Sequence, residues 1–364
     1  MKTLCNAVFN SITVYPDGKI APCCTYDPTM LRSIDTYDGV NTFSDLQQIM
    51  ANGEFPAGCK DCKRDSEEGV FAYRDHYGVD ESDQDLIRYL DIRNNNTCNL
   101  ACRFCGPYFS STWTKLTTGI NIENFDVWPL ISTVDLSQLR EIYFTGGEPM
   151  LNPTHWQLLK KLVAEGHSSS VYLRYNTNLT LLSYKGNEVI ELWKHFKNVS
   201  IFASLESTGD SLSAIRSGAK WEVINDNVDL LISYKTIIDI DIRVFATVGL
   251  LNYWFLQDLI DWCNLKDITL ELQKLQTPDI LALDSLPTNL KYLIDNTHIN
   301  LHGTADLEHN QRTLTQCKSA VGSTEPLFMS SVAHILLMDK LRGENLFDMM
   351  PFANVVKKRL LTNG

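Results

Sequence analysis

Six short apolar runs, each followed by a helical pattern, constrain this chain more than any other feature. They are Leu86–Ile92, Leu139–Phe144, Val171–Tyr175, Val199–Leu205, Ile240–Val248 and Ile268–Leu272. Strands that alternate with helices argue for βαβ units and a parallel sheet. Six units make a partial (β/α)6 barrel of the TIM type rather than a closed eight-fold one, so the fold class is α/β. Ligands of such barrels gather at the C-terminal strand ends. Six chemically notable features fall there: the loop that starts at Cys98, the Gly146-Gly147 turn, Asn178, Ser204, Asn252 and Gln276.

The first run delivers Cys98, Cys102 and Cys105, spaced Cys-x3-Cys-x2-Cys. Thiolates are the soft ligands that iron–sulfur clusters use. A tight loop can place three sulfurs on three irons of one cubane. The fourth iron is then left open and can hold a small molecule. Zinc is a poorer match, because structural zinc sites want four ligands in two knuckles and no fourth partner sits nearby.

With aromatic Phe104 just before the third cysteine, this loop resembles the signature of radical S-adenosylmethionine (SAM) enzymes. The resemblance implies that Cys98, Cys102 and Cys105 carry a catalytic [4Fe–4S] cluster. Its open iron would chelate the amino and carboxylate groups of SAM, and Phe104 would lie at the cofactor. One electron would cleave the S–C5′ bond, and the 5′-deoxyadenosyl radical would abstract a hydrogen atom from substrate. The cofactor carries the hard chemistry, while the protein orients it and excludes water.

The second run ends in Thr145-Gly146-Gly147-Glu148-Pro149. Two glycines let the backbone approach a ligand without Cβ hindrance. The Glu148 carboxylate can accept from an ammonium group, and Pro149 sets the exit into a helix near Trp156 to Glu165. The resemblance assigns this turn to the SAM amino group, largely through backbone oxygens. It places Asn178 in the active-site mouth, where it would bond SAM or substrate, or only shape the turn. Ser204-Leu205-Glu206 matches a Ser-x-Asp or Ser-x-Glu pattern whose Ser lies near the SAM ribose. Arg216, in Ala214–Gly218, resembles the Arg that meets the SAM carboxylate, a contact suited to its fork. The plainer reading of Arg216 is a surface helix charge.

Residues 1–84 read as a first unit. Ser11–Tyr15 alternates as a strand, Pro16-Asp17-Gly18-Lys19 turns, and the chain runs out into Cys23-Cys24. That is hairpin chemistry. Cys59 and Cys62 form a Cys-x2-Cys knuckle after a helical stretch from Phe43 to Ala51. A hairpin end plus a knuckle can enclose a tetrahedral zinc or a [4Fe–4S] cluster. The spacing Cys5-x12-Gly18-x4-Cys23 resembles the opening of SPASM and twitch domains, which carry auxiliary clusters in many radical SAM enzymes. Here the module precedes the barrel instead of following it. The resemblance points to an auxiliary [4Fe–4S] cluster on Cys5, Cys23, Cys59 and Cys62. Cys24 stands as the alternative to Cys23, since neighbours on an extended segment point to opposite sides. Glu67, Glu68, Gly69 and Arg74 read as a charged helix start, and residues 80–85 as an acidic linker.

The barrel spans 85–290, and 291–364 reads as a helical extension. In that extension Asp339 and Arg342 look like a surface i, i+3 pair. Cys263 and Cys317 look like buried hydrophobes. A net charge of −12 gives no footprint for extended nucleic-acid binding. The chain shows no signal peptide and no 18-residue apolar run, so no membrane is expected. Ten cysteines suit a reducing cytoplasm. The family reading implies a peptide or protein substrate, with a sugar or nucleoside as the runner-up. It also implies an electron donor such as flavodoxin or ferredoxin. The rival from another class is a non-catalytic zinc or Fe–S scaffold.

Overall fold

Strand-forming runs alternate along this chain because one face of each packs on helices and the other faces a cavity. Ile240–Val248 shows it best: Ile240, Ile242, Val244, Ala246 and Val248 are buried, while the four residues between them are half-buried. A period of two is what a pleated strand produces. In the computed structural model, which describes residues 3–69, 71–78, 86–117 and 124–362, nine strands form one sheet. The acidic stretch at residues 80–85 lies outside the described residues.

The strands are β1 (Ser11–Val14), β2 (Lys19–Ala21), β3 (Arg32–Ser33), β4 (Tyr89–Ile92), β5 (Glu141–Phe144), β6 (Tyr172–Thr177), β7 (Asn198–Ser204), β8 (Ile240–Val248) and β9 (Thr269–Lys274). Their order across the sheet is β3-β2-β1-β4-β5-β6-β7-β8-β9. From β4 to β9 each strand lies parallel to the next, the layout of six successive βα units. Helices Pro153–Ala164, Trp221–Tyr234 and Leu256–Lys266 cover the convex face with Leu158, Leu162, Val228, Leu231 and Leu259. Cys263 and Cys317 are fully buried among apolar side chains.

The N-terminal residues do not stand apart from this sheet. The β1–β2 hairpin forms with Thr13 opposite Ala21. However, β1 also runs parallel to β4, with Ser11 opposite Tyr89 and Val14 opposite Ile92. The hairpin therefore continues the barrel sheet. At the other edge, helix Leu307–Ala320 covers β9. Asn310 accepts from Leu272 N at 2.8 Å and donates to Leu270 O at 2.8 Å, so one amide side chain caps an exposed ladder. No helix of the described residues is long and apolar enough to cross a membrane.

Beneath the sheet, His155 is fully buried and meets Tyr175 Oη at 3.0 Å. Trp193 Nε1 donates to the same hydroxyl at 3.0 Å, which leaves Tyr175 to donate to a neutral imidazole. Burial pushes the His155 pKa down to about 3. The unfolded chain binds this proton below about pH 6.5 while the folded chain does not. The stability this neutral side chain contributes is therefore present above that pH and lost as pH falls toward 3. We expect the melting temperature to drop between pH 7 and pH 5, and His155→Gln to shrink that drop. An equal drop in the variant would place the acid sensitivity elsewhere.

Candidate active site

The loop after β4 cannot close without help, because it carries three cysteines and a buried arginine. It is fastened from three sides. On the first, the turn after β5 lies against its entry: Gly147 N donates to Asn95 O at 2.9 Å and Glu148 N to Thr97 O at 2.8 Å. Gly146 has φ +94°, and a Cβ on Gly147 would stand 2.3 Å from Thr97 O. Both positions thus require glycine, one for its dihedral and one for space.

On the second side, the helix Ser111–Thr117 and the residue before it donate hydroxyls to the loop. Thr112 Oγ1 reaches Cys98 O at 2.7 Å, Ser110 Oγ reaches Leu100 O at 2.7 Å, and Trp113 Nε1 reaches Cys102 O at 2.7 Å. On the third, Ala101–Cys102 pairs antiparallel with Arg216–Ser217. Arg103, inside the loop, is 2 % exposed. It donates to Ala214 O at 2.8 Å and Glu344 Oε2 at 2.6 Å, and it pairs with Asp339.

Asp339 is therefore not half of a surface pair with Arg342, as the helical spacing suggested. It is buried, and it also accepts from Leu346 N and Phe347 N at 3.1 and 2.9 Å. The helix Glu325–Arg342 is thereby locked onto the cysteine loop. Arg103 and Asp339 carried no local signal, since 236 residues separate them.

Cys98, Cys102 and Cys105 are all half-buried on this one loop. Burial raises all three thiol pKa values, that of Cys105 to about 11; neighbouring thiols add to the rise at Cys98 and Cys105, while the Arg216 cation opposes it at Cys102. Arg216 Nη1 lies 3.4 Å from Cys102 Sγ. Arg216 is buried rather than on a surface. Its fork is occupied, with Nε and Nη2 donating to Glu206 at 2.5 and 2.6 Å. Two of its three nitrogens are thus engaged by the chain's own Glu206. Phe104 packs on the main core, and half-buried Ser204 sits opposite Phe245 of β8.

Glu148 is buried as well. Its carboxylate turns inward and accepts from Thr177 Oγ1 at 2.8 Å, Asn178 N at 2.9 Å and Met150 N at 3.3 Å. It ties the β5 turn to the β6 end, and burial raises its pKa to about 7. Pro149 opens the short helical turn Pro149–Leu151. Asn178 shapes its own turn through Thr180 and donates to Asn99 Oδ1 of the cysteine loop at 3.0 Å. Asn252 likewise is structural, donating to Glu206 O at 3.1 Å.

A second cavity, about 420 Å³ with its mouth, is lined by Cys5, Cys23, Cys59 and Cys62. Thr25 Oγ1 bridges two of them, 3.5 Å from Cys23 Sγ and 4.0 Å from Cys62 Sγ. Its lining holds no carboxylate or imidazole, and its one cation is Arg74. Burial is the largest cause that holds the Cys5 and Cys59 pKa values up to about 12. Such an all-thiol lining fits an iron–sulfur cluster, and zinc also accepts four thiolates. Cys24 points the other way, into the barrel, beside Tyr73 and Arg174. Among the described residues no three His, Cys, Asp or Glu side chains are gathered tightly enough for a single metal ion. A cubane takes one sulfur per iron and spreads its ligands wider than one ion does.

The barrel's concave face encloses about 1840 Å³, open mouth included. Tyr172, Arg174 and Asn176 of β6, Phe202 of β7, Arg243 of β8 and Glu271 of β9 line it. Its floor is a polar cluster in which Glu141 meets Arg174 Nη1 at 2.9 Å and His76 Nε2 at 2.9 Å.

The sequence profile of the Radical SAM superfamily matches residues 95–262. A GTP 3′,8-cyclase of Picosynechococcus sp. is 28% identical over 138 residues, 37% of this chain and 41% of that protein. The chain thus spans less than half the length of this curated relative. Native anSMEcpe with bound AdoMet superposes with a TM-score of 0.39 at 16% identity, over 57% of this chain and 60% of that one. Streptococcus suis SuiB bound to S-adenosylmethionine gives 0.37 at 15%, over 70% and 49%. Residues 95–262 form a radical SAM domain.

Two substitutions test how the loop is held. Gly147→Ala forces Thr97 aside and should cost about 1–3 kcal/mol, as overpacking does, with loss of iron on reconstitution. Arg103→Met strands two carboxylates and should cost about 3–5 kcal/mol, as breaking a buried pair does. Denaturant melts check both, and unchanged midpoints would refute the account.

Proposed function

We propose that this chain, an enzyme by its radical SAM domain, oxidatively modifies a peptide or protein substrate. In this reading Cys98, Cys102 and Cys105 hold a [4Fe–4S] cluster with SAM at its open iron. The observation that carries it is one loop presenting three thiols, bonded along its main chain to the Gly146-Gly147 turn. Bound there, cluster and SAM would supply one-electron cleavage of SAM to a 5′-deoxyadenosyl radical. The chain's own residues do the rest. The turn uses its Gly147 and Glu148 N–H groups on Asn95 and Thr97, which orients it across the loop. Glu148 holds that turn to Asn178, and Glu206 holds Arg216 beside Cys102. The buried side chains behind the loop exclude water from it.

Cys5, Cys23, Cys59 and Cys62 would hold a second [4Fe–4S] cluster in a twitch-like arrangement. Four thiols leave no iron open, which suits electron transfer rather than substrate ligation. A flavodoxin or ferredoxin would supply the first electron. Ten free cysteines suit a cytoplasmic setting. The barrel cavity, about 820 Å³, lies within the range of small-molecule sites, about 300–1,000 Å³, which is room for one or two side chains of a peptide rather than for a folded segment. A sugar or nucleoside substrate is the second reading, favoured by the relative whose name gives GTP as its substrate.

Anaerobic reconstitution tests this. About eight irons and eight sulfides per chain are expected if two cubanes assemble, with 5′-deoxyadenosine formed from SAM under reduction. Cys59→Ala with Cys62→Ala should halve the iron and leave the SAM-induced spectral change. Wild-type protein with half that iron and no SAM cleavage would overturn the reading.

A further inference from the structure

Arg342 is the last residue of the helix Glu325–Arg342. Its guanidinium stacks over Trp113, 4.7 Å from the ring centroid. Trp113 in turn donates to Cys102 O, so the cation stands directly behind the cysteine loop. Nε, Nη1 and Nη2 are all buried, and among the described residues none of them has a hydrogen-bond partner. Burying a charge that way is costly unless something compensates it. The nearby carboxylates give it no hydrogen bond: Asp339 and Glu344 are both taken by Arg103. Glu206 is taken by Arg216. Burial and the Arg103 charge both work against the Arg342 cation and prevail, while Glu344, Cys102 and Asp339 favour it from a distance.

Three thiolates around an iron–sulfur cubane would supply an anion that Arg103 does not already claim, and that rests on the cluster reading above. We propose that Arg342 is a positioning residue for the cluster on Cys98, Cys102 and Cys105: its positive charge behind Cys102 favours the reduced, more negative cluster. Reduction adds an electron to a group already negative, so a fixed cation held out of water raises the potential. Charge and hydrogen bonding near the sulfurs are among the levers that set cluster potentials. Arg216 also reaches Cys102, with Nη1 3.4 Å from Sγ, but it shares its charge with Glu206, whereas Arg342 has no such partner among the described residues.

The test uses the full chain loaded with iron and sulfide, in wild type and in Arg342→Gln, Arg342→Met and Arg342→Lys. Two uncharged variants are taken so that loss of the fold in one does not hide the result. The readouts are the midpoint potential of the SAM-binding cluster by EPR-monitored titration, and SAM affinity. The uncharged variants should reduce less readily by roughly tenfold at a fixed poise, about 59 mV for one electron, while Arg342→Lys stays near wild type. Iron-loaded uncharged variants with an unmoved potential would overturn the inference while leaving the cluster reading intact. A loss of SAM affinity at unmoved potential would also overturn it and assign Arg342 to the SAM carboxylate. Wild type that assembles no cluster would overturn both.

Discussion

A guanidinium buried at the centre of the three-cysteine loop governs how this molecule is put together. Arg103 cannot be left unpaired out of water, since the penalty for a lone buried charge far exceeds what packing returns. Its donors must therefore find acceptors, and they find them in Ala214 O, Glu344 and Asp339. That requirement brings the helix Glu325–Arg342 across the mouth of the barrel. It also brings in Arg342, whose own charge then needs an anion. One buried ion pair thus decides where the C-terminal helices sit and what electrostatic field the loop experiences.

The N-terminal hairpin follows a different logic. A sheet edge at β4 would expose a row of unpaired backbone groups. β1 covers it in parallel register, and β2 and β3 continue the sheet outward. As the chain leaves β2, consecutive side chains alternate sides. Cys23 enters the four-thiol cavity and Cys24 enters the barrel. The two cavities are therefore separated by little more than the thickness of one strand end.

The six barrel strands were legible because alternation is a local property. Ile240–Val248 shows period two along its whole length, and its bounds follow from sequence alone. The glycine turn was legible for the same reason: Gly146 and Gly147 are where a backbone must come close. What stayed hidden depended on partners far away in the chain. The pairing of β1 with β4 joins residues 78 positions apart, with nothing in either segment to announce it. Asp339 and Arg342 were read as neighbours at i, i+3, since spacing registers only the local option. Their real contacts, Arg103 and Trp113, lie more than two hundred residues earlier. The three protein donors to Glu148 also stayed hidden, because Thr177 and Asn178 come from the next strand end.

The polar side chains at the strand ends share a direction. Glu148, Glu206, Asn178 and Asn252 all sit at strand ends, where a barrel places its chemistry, and all four are consumed by bonds within the chain. Each removes a polar side chain from direct contact and converts it into support for backbone. Among the described residues the loop still offers main-chain oxygen and three thiols, and one unsatisfied cation, Arg342, is buried behind it. A site whose side chains are already satisfied does not reorganise when charge changes on it, and fixed dipoles stabilise charge more effectively than mobile ones. The Glu148 and Glu206 carboxylates thereby help the thiol loop keep its shape, through Asn178 and Arg216.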